Sequence, residues 1–264
     1  MPELPDVEYL RKYMNSTSLH KKIVGVEVKN SKIIGRVSPA ALKKQLKGNK
    51  LKVTKRHGKN LFAGLANKKW LTMHFGMTGY LKYFKNEEDA PRHARLLINF
   101  DNGYRLAYDS MRMLGRIDLV DDLSGFIKRK KLGVDPVEDK LSFKEFIELF
   151  NGRNGLIKTG LMNQSIIAGI GNIYADEILF HADIHPESNI KKLNEADFKK
   201  IYQKMNSVIK KAIAANADHK ELPADYLLRH RKAGEDCPIC AGKIMKQTIG
   251  GRSSYFCSRH QKKR

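Results

Sequence analysis

Apolar residues in the first half of the chain recur in short, closely spaced runs. They are Ile23, Val24, Val26 and Val28; Leu51 and Val53; Leu61, Phe62 and Leu65; Trp70, Leu71, Met73 and Phe75; Leu96, Leu97, Ile98 and Phe100; Leu106 and Tyr108. Between them stand His57-Gly58-Lys59-Asn60, Ala66-Asn67 and Asp101-Asn102-Gly103, which are hairpin and turn signals. This texture predicts a β-sandwich or barrel of roughly eight strands. A short helix over residues 3–14 leads into it, with Val7, Leu10, Tyr13 and Met14 on one side.

After Ile117-Asp118-Leu119-Val120 the pattern changes. Gly125 to Lys140 is charged and punctuated by Gly and Pro, as a linker would be. Phe143, Phe146, Ile147 and Phe150 then follow at helical spacing. A longer helix begins near Glu195, with Phe198, Ile201, Met205, Val208, Ile209, Ala212 and Ile213 on one face. Asn194 is its expected cap, and Asp197 suits the positive end of the helix dipole. Such stripes are core, so they receive no functional role. Two domains also suit 264 residues, because single cores tend to divide by about 250–300 residues.

Charge changes the picture. Lys and Arg total 50 against 28 Asp and Glu, a net +22, and the pI is near 9.8. A polyanion is the expected partner, although a basic surface also serves solubility. No apolar run approaches the roughly 18 residues that a membrane span requires, and the start of the chain lacks a secretory-signal layout. The expected class is an intracellular protein that meets nucleic acid.

All three cysteines fall near the end, as Cys237-Pro-Ile-Cys240 and Cys257-Ser-Arg-His260, with sixteen residues between the pairs. That is metal-ligand spacing, and three cysteines with one histidine form an accepted structural zinc set. Disulfides are the competing reading, disfavoured in a chain without a signal. Four protein ligands leave no open position, so one zinc ion would hold the fold rather than do chemistry. From Arg229 to Arg264 there are ten Lys/Arg against two acids, which points the hairpin tip at phosphate.

Two further stretches carry candidate chemistry. Removal of Met1 would leave Pro2 as a terminal secondary amine, with Glu3 beside it. An amine attacks a sugar carbon to give an iminium, an α-amino group is more often neutral near pH 7 than a lysine, and a carboxyl can move the protons. Met-Pro starts are also common without function. In Ala168-Gly169-Ile170-Gly171-Asn172-Ile173-Tyr174, two glycines make a tight reversal and Asn172 sits where a helix N-cap belongs. Such a turn aims helix amides outward as a phosphate seat; a plain helical hairpin is the alternative.

Taken together, Pro2-Glu3-Leu4-Pro5, His74-Phe75-Gly76-Met77-Thr78-Gly79, the Gly169–Ala175 turn and Gly251-Arg252-Ser253-Ser254-Tyr255-Phe256-Cys257 resemble the formamidopyrimidine-DNA glycosylase/endonuclease VIII (Fpg/Nei) family over nearly the whole chain. The resemblance implies an α+β protein: an N-terminal β-sandwich with a leading helix (1–124), a linker (125–140), a helix-two-turn-helix bundle (141–228) and a zinc-finger β-hairpin (229–264). It implies a monomeric base-excision enzyme, cytoplasmic if prokaryotic, that extrudes a damaged base and bends the duplex between its domains. Its substrate would be double-stranded DNA bearing oxidised bases or abasic sites. It would be a DNA glycosylase and AP lyase, ending in β or β,δ elimination.

By the same resemblance, Pro2 is the nucleophile toward C1′ and Glu3 assists ring opening and proton transfer. Lys59 approaches the lesion phosphate and sugar, unless it is an ordinary turn lysine. His74, Lys158, Asn172 and Arg252 clamp phosphates. Met77, Arg112 and Leu114 fill the space left by the base, a role that offsets part of the unstacking cost; core packing is the alternative for Met77. Three features depart from the family pattern. Leu114 stands where an aromatic wedge is usual, and His260 replaces a fourth cysteine. The stretch Asn216 to Asp236 is too short for the full loop that covers 8-oxoguanine. A zinc-stabilised protein that recognises damaged duplex without cutting it is the second function class.

Overall fold

The computed structural model describes all 264 residues. The chain gathers into two compact units, Met1–Pro2 with Asp6–Lys130, and Glu3–Pro5 with Lys131–Arg264.

In the first unit, α1 (Leu4–Ser18) leads to β1 (Ile23–Val28), α2 (Pro39–Leu46), β2 (Leu51–His57), β3 (Asn60–Leu65), β4 (Trp70–His74), β5 (Tyr80–Phe84), β6 (Ala94–Phe100), β7 (Arg105–Asp109), β8 (Arg116–Val120) and α3 (Leu123–Arg129). The eight strands form two antiparallel four-stranded sheets, ordered β1-β6-β7-β5 and β2-β3-β4-β8. Leu61, Ala63, Leu71 and Met73 of one sheet share a core with Ile23, Leu96, Ile98 and Leu106 of the other. Val7, Leu10 and Met14 of α1 join that core. Alternation is blurred in β3 because its second face is also covered: Phe62 meets Phe126 of α3 edge-on, centroids 5.4 Å apart. Such double burial turns an alternating strand into a continuous apolar run.

Two elements here were not predicted. In β5 the partly exposed Lys82 and Tyr83 dilute the apolar signal. In α2 only Leu42 and Leu46 are buried, although Ser38 caps it and Pro39 opens it. The expected linker is also not a tether. Its first residues complete α3, whose amides at Ser124 and Gly125 are capped by Asp122. Beyond Lys131 the chain belongs to the second unit, where buried Asp135 accepts the amides of Val137 and Glu138.

The second unit holds α4 (Phe143–Glu148), α5 (Ile157–Met162), α6 (Asn172–His181), α7 (Glu195–Ala214) and the hairpin of β9 (Ile244–Ile249) and β10 (Arg252–Cys257). Phe198, Ile201, Met205, Val208, Ile209 and Ala212 of α7 lie in the core, as the stripe predicts. Asn194 and Asp197 form a reciprocal capping box at its start. From Tyr174 to Phe180, α6 is buried on every side, Asp176 and Glu177 included. A helix enclosed all round carries no amphipathic period.

Candidate functional site

Glu3 is anchored within the second unit. It is 2% exposed. Its carboxylate accepts the amides of Gly171 at 2.7 Å, Ile173 at 2.9 Å and Tyr174 at 3.2 Å. The anion seat expected at this turn is therefore filled by the protein's own carboxylate rather than left for phosphate. The N-cap also moves by one residue: Gly171 is the cap and Asn172 opens the helix. A distant carboxylate supplies the capping acceptor, so no local cap is needed. Leu4 donates its amide to Gly169 at 3.0 Å. Gly169 has φ +110°, and a Cβ there would stand 2.7 Å from the Leu4 side chain, so the reversal requires glycine.

On the first unit, Lys59 sits in the two-residue turn between β2 and β3, with Gly58 at φ +55°. Lys59 is 7% exposed, which is not the state of an ordinary turn lysine. Asn60 pairs in register with His74 at the end of β4. Burial holds His74 below its ordinary pKa, and the Lys59 and Lys130 ammonium groups push the same way. The structure thus brings Lys59 and His74 together.

The turn after β4 carries Met77, one of the three residues expected to fill the space left by the base. Gly76 has φ +60°, and a Cβ on it would lie 2.5 Å from the Leu114 carbonyl carbon. That close approach sets the Met77 turn against the Arg112–Leu114 segment, and the Arg112 amide donates to Thr78 Oγ1 at 3.2 Å. Met77 and Leu114 are exposed at 38% and 55%, so Met77 is not a core residue. Met111, exposed at 53%, extends the same apolar surface. The sequence reading missed it, and the run Met111-Arg112-Met113-Leu114 was the available signal.

Around the hairpin of the second unit, Asn172 donates its side-chain amide to the Ser253 carbonyl at 2.9 Å. Exposed Arg252 follows the Gly250-Gly251 turn, where both φ values are positive. Lys158 behaves differently. Its side chain is fully buried, with Nζ 2.6 Å from Asp176 Oδ1 and donating to Ser254 Oγ. Asp176 also holds Arg231 at 3.0 Å and accepts the Tyr255 amide at 3.1 Å. Arg231 in turn lies over the Tyr255 ring at 4.6 Å. Burial pushes the Lys158 ammonium below its ordinary pKa, against the pull of Asp176. Direct phosphate contact by Lys158 has no support in this geometry; the lysine ties α5 and α6 to β10. Asp176 and Arg231 went unnoticed because their pairing spans distant sequence.

The residues Cys237, Cys240, Cys257 and His260 place four ligand atoms within 4.8 Å of one another. Cys240 and Cys257 sulfurs are 3.6 Å apart, and His260 Nδ1 is 3.5 Å from both Cys237 and Cys240. A tetrahedron with bonds near 2.3 Å has edges of about 3.8 Å, so the set fits such an ion. His260 Nε2 faces the Phe180 carbonyl at 3.2 Å, which leaves Nδ1 as the ligand atom. Burial pushes the Cys237 thiol up to about 11, so a cation binding here displaces protons.

Family models match both units. Residues 1–117 match the formamidopyrimidine-DNA glycosylase N-terminal domain, and residues 132–222 match the H2TH domain of the same enzyme. The chain belongs to the Fpg/Nei family.

Among curated Fpg proteins, that of Pelotomaculum thermopropionicum is 35% identical over 275 residues, covering 99% of both chains. The Mycoplasma genitalium protein is 32% identical, covering 99% of this chain and 96% of its own. The solved structure of Lactococcus lactis Fpg bound to AP-site DNA superposes with a TM-score of 0.90 at 28% identity, covering 99% of this chain and 100% of that one. A second L. lactis Fpg structure, with Fapy-dG DNA, gives the same TM-score at 27% identity. Within this Fpg/Nei chain part of the segment 216–236 is held by packing, while most of its other residues are exposed. Tyr226, Leu227 and Leu228 are buried, and the amides of Leu227 and Leu228 bind the Glu177 carboxylate.

Proposed function

We propose that this Fpg/Nei chain is a bifunctional DNA glycosylase/AP lyase of base excision repair, acting on duplex DNA with oxidised bases or abasic sites. The observation that carries the proposal is the anchoring of Glu3 on the α6 amides, because it fixes the residue next to Pro2. The Pro2 nitrogen attacks C1′ of the damaged nucleotide, and the bond to the base breaks with its electron pair on the departing base. Glu3 assists the proton transfer that opens the sugar ring, leaving an iminium between Pro2 and C1′. Loss of a proton from C2′ then expels the 3′ phosphate by β-elimination.

Lys59 and His74 of the first unit, with Asn172 and Arg252 of the second, hold the phosphates about the lesion. Met77, Arg112 and Leu114 occupy the vacated position, and their exposure supports that role. Lys158 is a positioning residue for β10. Zinc is the ion proposed for Cys237, Cys240, Cys257 and His260, given three thiolates and one imidazole; it holds the hairpin that carries Arg252.

Borohydride trapping on a duplex with an oxidised base tests the reading. A covalent adduct is expected from protein with a processed Pro2 terminus, and none from terminally blocked protein that still binds DNA. An adduct undiminished by blocking moves the nucleophile to a lysine, with Lys59 first. No adduct from either form leaves a non-cutting damage-recognition protein.

A further inference from the structure

On the first unit, Arg36, Arg116, Arg129 and Lys130 surround a surface pocket of about 320 Å³, with Asp118 and Phe126 in its wall. Asp118 offsets one of the four positive charges but forms no ion pair with any of them. Its two oxygens accept the backbone amides of Arg36 at 2.8 Å, Val37 at 3.0 Å and Leu119 at 2.9 Å. None of the four cations is ion-paired. Two are already oriented: Arg116 donates to the Ile34 carbonyl at 3.1 Å, and the Arg129 guanidinium lies over the Phe126 ring at 5.9 Å. Guanidinium groups that are oriented in advance and have no carboxylate partner suit a phosphate oxygen.

The pocket adjoins the phosphate-binding face. Arg116 pairs in register with His74 across β4 and β8, and Lys130 is close enough to His74 to influence its charge. We infer that Arg36, Arg116, Arg129 and Lys130 form a second phosphate seat, taking an internucleotide phosphate of the duplex beyond the lesion nucleotide. The inference rests on the DNA-binding reading above and extends it to the length of duplex that is gripped.

The test is duplex affinity against salt, using DNA longer than two helical turns with a tetrahydrofuran abasic analogue. Arg36→Gln/Arg129→Gln is compared with the full-length wild-type chain and with Lys43→Gln/Lys44→Gln, two exposed lysines of α2. The pocket variant is expected to bind roughly tenfold more weakly at low salt, with a log–log slope shallower by about 0.9 for each phosphate it no longer neutralises. The borohydride adduct formed at saturating protein stays as in wild type. An unchanged slope, or an equal change in the α2 variant, overturns the proposal. So does binding of inorganic phosphate at constant ionic strength that is lost in the pocket variant while its DNA slope stays unchanged. If the slopes differ as expected but wild type gives no adduct, the lyase reading fails and the seat stands.

Discussion

Glu3 accepts the amide of Gly171, 168 positions away in sequence, at 2.7 Å in a buried setting. This one relationship gives the start of α6 its cap and ties the start of the chain to it. It also explains why the Gly169–Asn172 reversal offers no vacant anion seat. The helix amides already have their carboxylate, and the favourable meeting of negative charge with a helix N-terminus is internal.

Replacing Glu3 should therefore cost stability as well as catalysis. Glu3→Ala leaves two buried amides and one part-buried amide without an acceptor, and a loss of about 3 kcal/mol is expected. Glu3→Gln retains one acceptor oxygen and should lose less. Thermal unfolding of both variants, read beside single-turnover excision, checks this. Unchanged melting in Glu3→Ala would remove the anchoring role.

Lys158 and Asp176 form an ion pair with both side chains fully buried. Lys158→Met should cost about 3 kcal/mol, because Asp176 keeps Arg231 but loses its nearer partner. The salt slope of DNA binding should stay as in wild type. A shallower slope at unaltered stability would instead make Lys158 a phosphate contact.

His74 links stability to pH. Burial, Lys59 and Lys130 hold it below its ordinary value of 6.5, so protonation favours the unfolded chain. Its contribution is complete above pH 6.5 and is lost as pH falls through the lowered native value. His74→Gln should flatten the acid side of the stability profile relative to wild type. Trp70, on the same strand and the sole tryptophan, reports this unit by fluorescence during urea unfolding.

Chelation should release one structural ion, loosen the hairpin and abolish DNA binding. Cys257→Ala should do the same without a chelator, whereas His260→Cys should keep the metal. Elemental analysis with DNA titration is the measurement. Metal-free protein that binds DNA normally would refute the assignment.

Substrate range is expected to follow from the 216–236 segment, which the family resemblance reads as short. Formamidopyrimidines and oxidised pyrimidines should be released faster than 8-oxoguanine opposite cytosine. 8-Oxoguanine stacks almost like guanine, so its pocket must supply the discrimination, and the Leu227 and Leu228 amides of this segment are already bound to Glu177. Ring-opened and ring-saturated bases stack poorly, so extruding them costs less. Single-turnover rates on matched duplexes decide, and equal or faster release of 8-oxoguanine would defeat the loop argument.

Much of this protein was determined by the sequence alone. The short apolar runs specified the sandwich, the stripe from Phe198 to Ala212 specified α7, and Cys237–His260 spacing specified the Cys/His group able to hold a metal ion, because each is a local pattern. The roles expected of Met77, Arg112, Leu114 and Lys59 came from family resemblance, which compresses tertiary information into short motifs. Tertiary structure alone decided the rest. Only the fold could show that Glu3 caps α6, that Lys158 is enclosed with Asp176, and that Arg36 and Arg129 share a pocket. A carboxylate or a lysine has the same chemistry wherever it stands in a sequence. Its partner, its burial and therefore its charge state depend on side chains that folding brings in from distant positions.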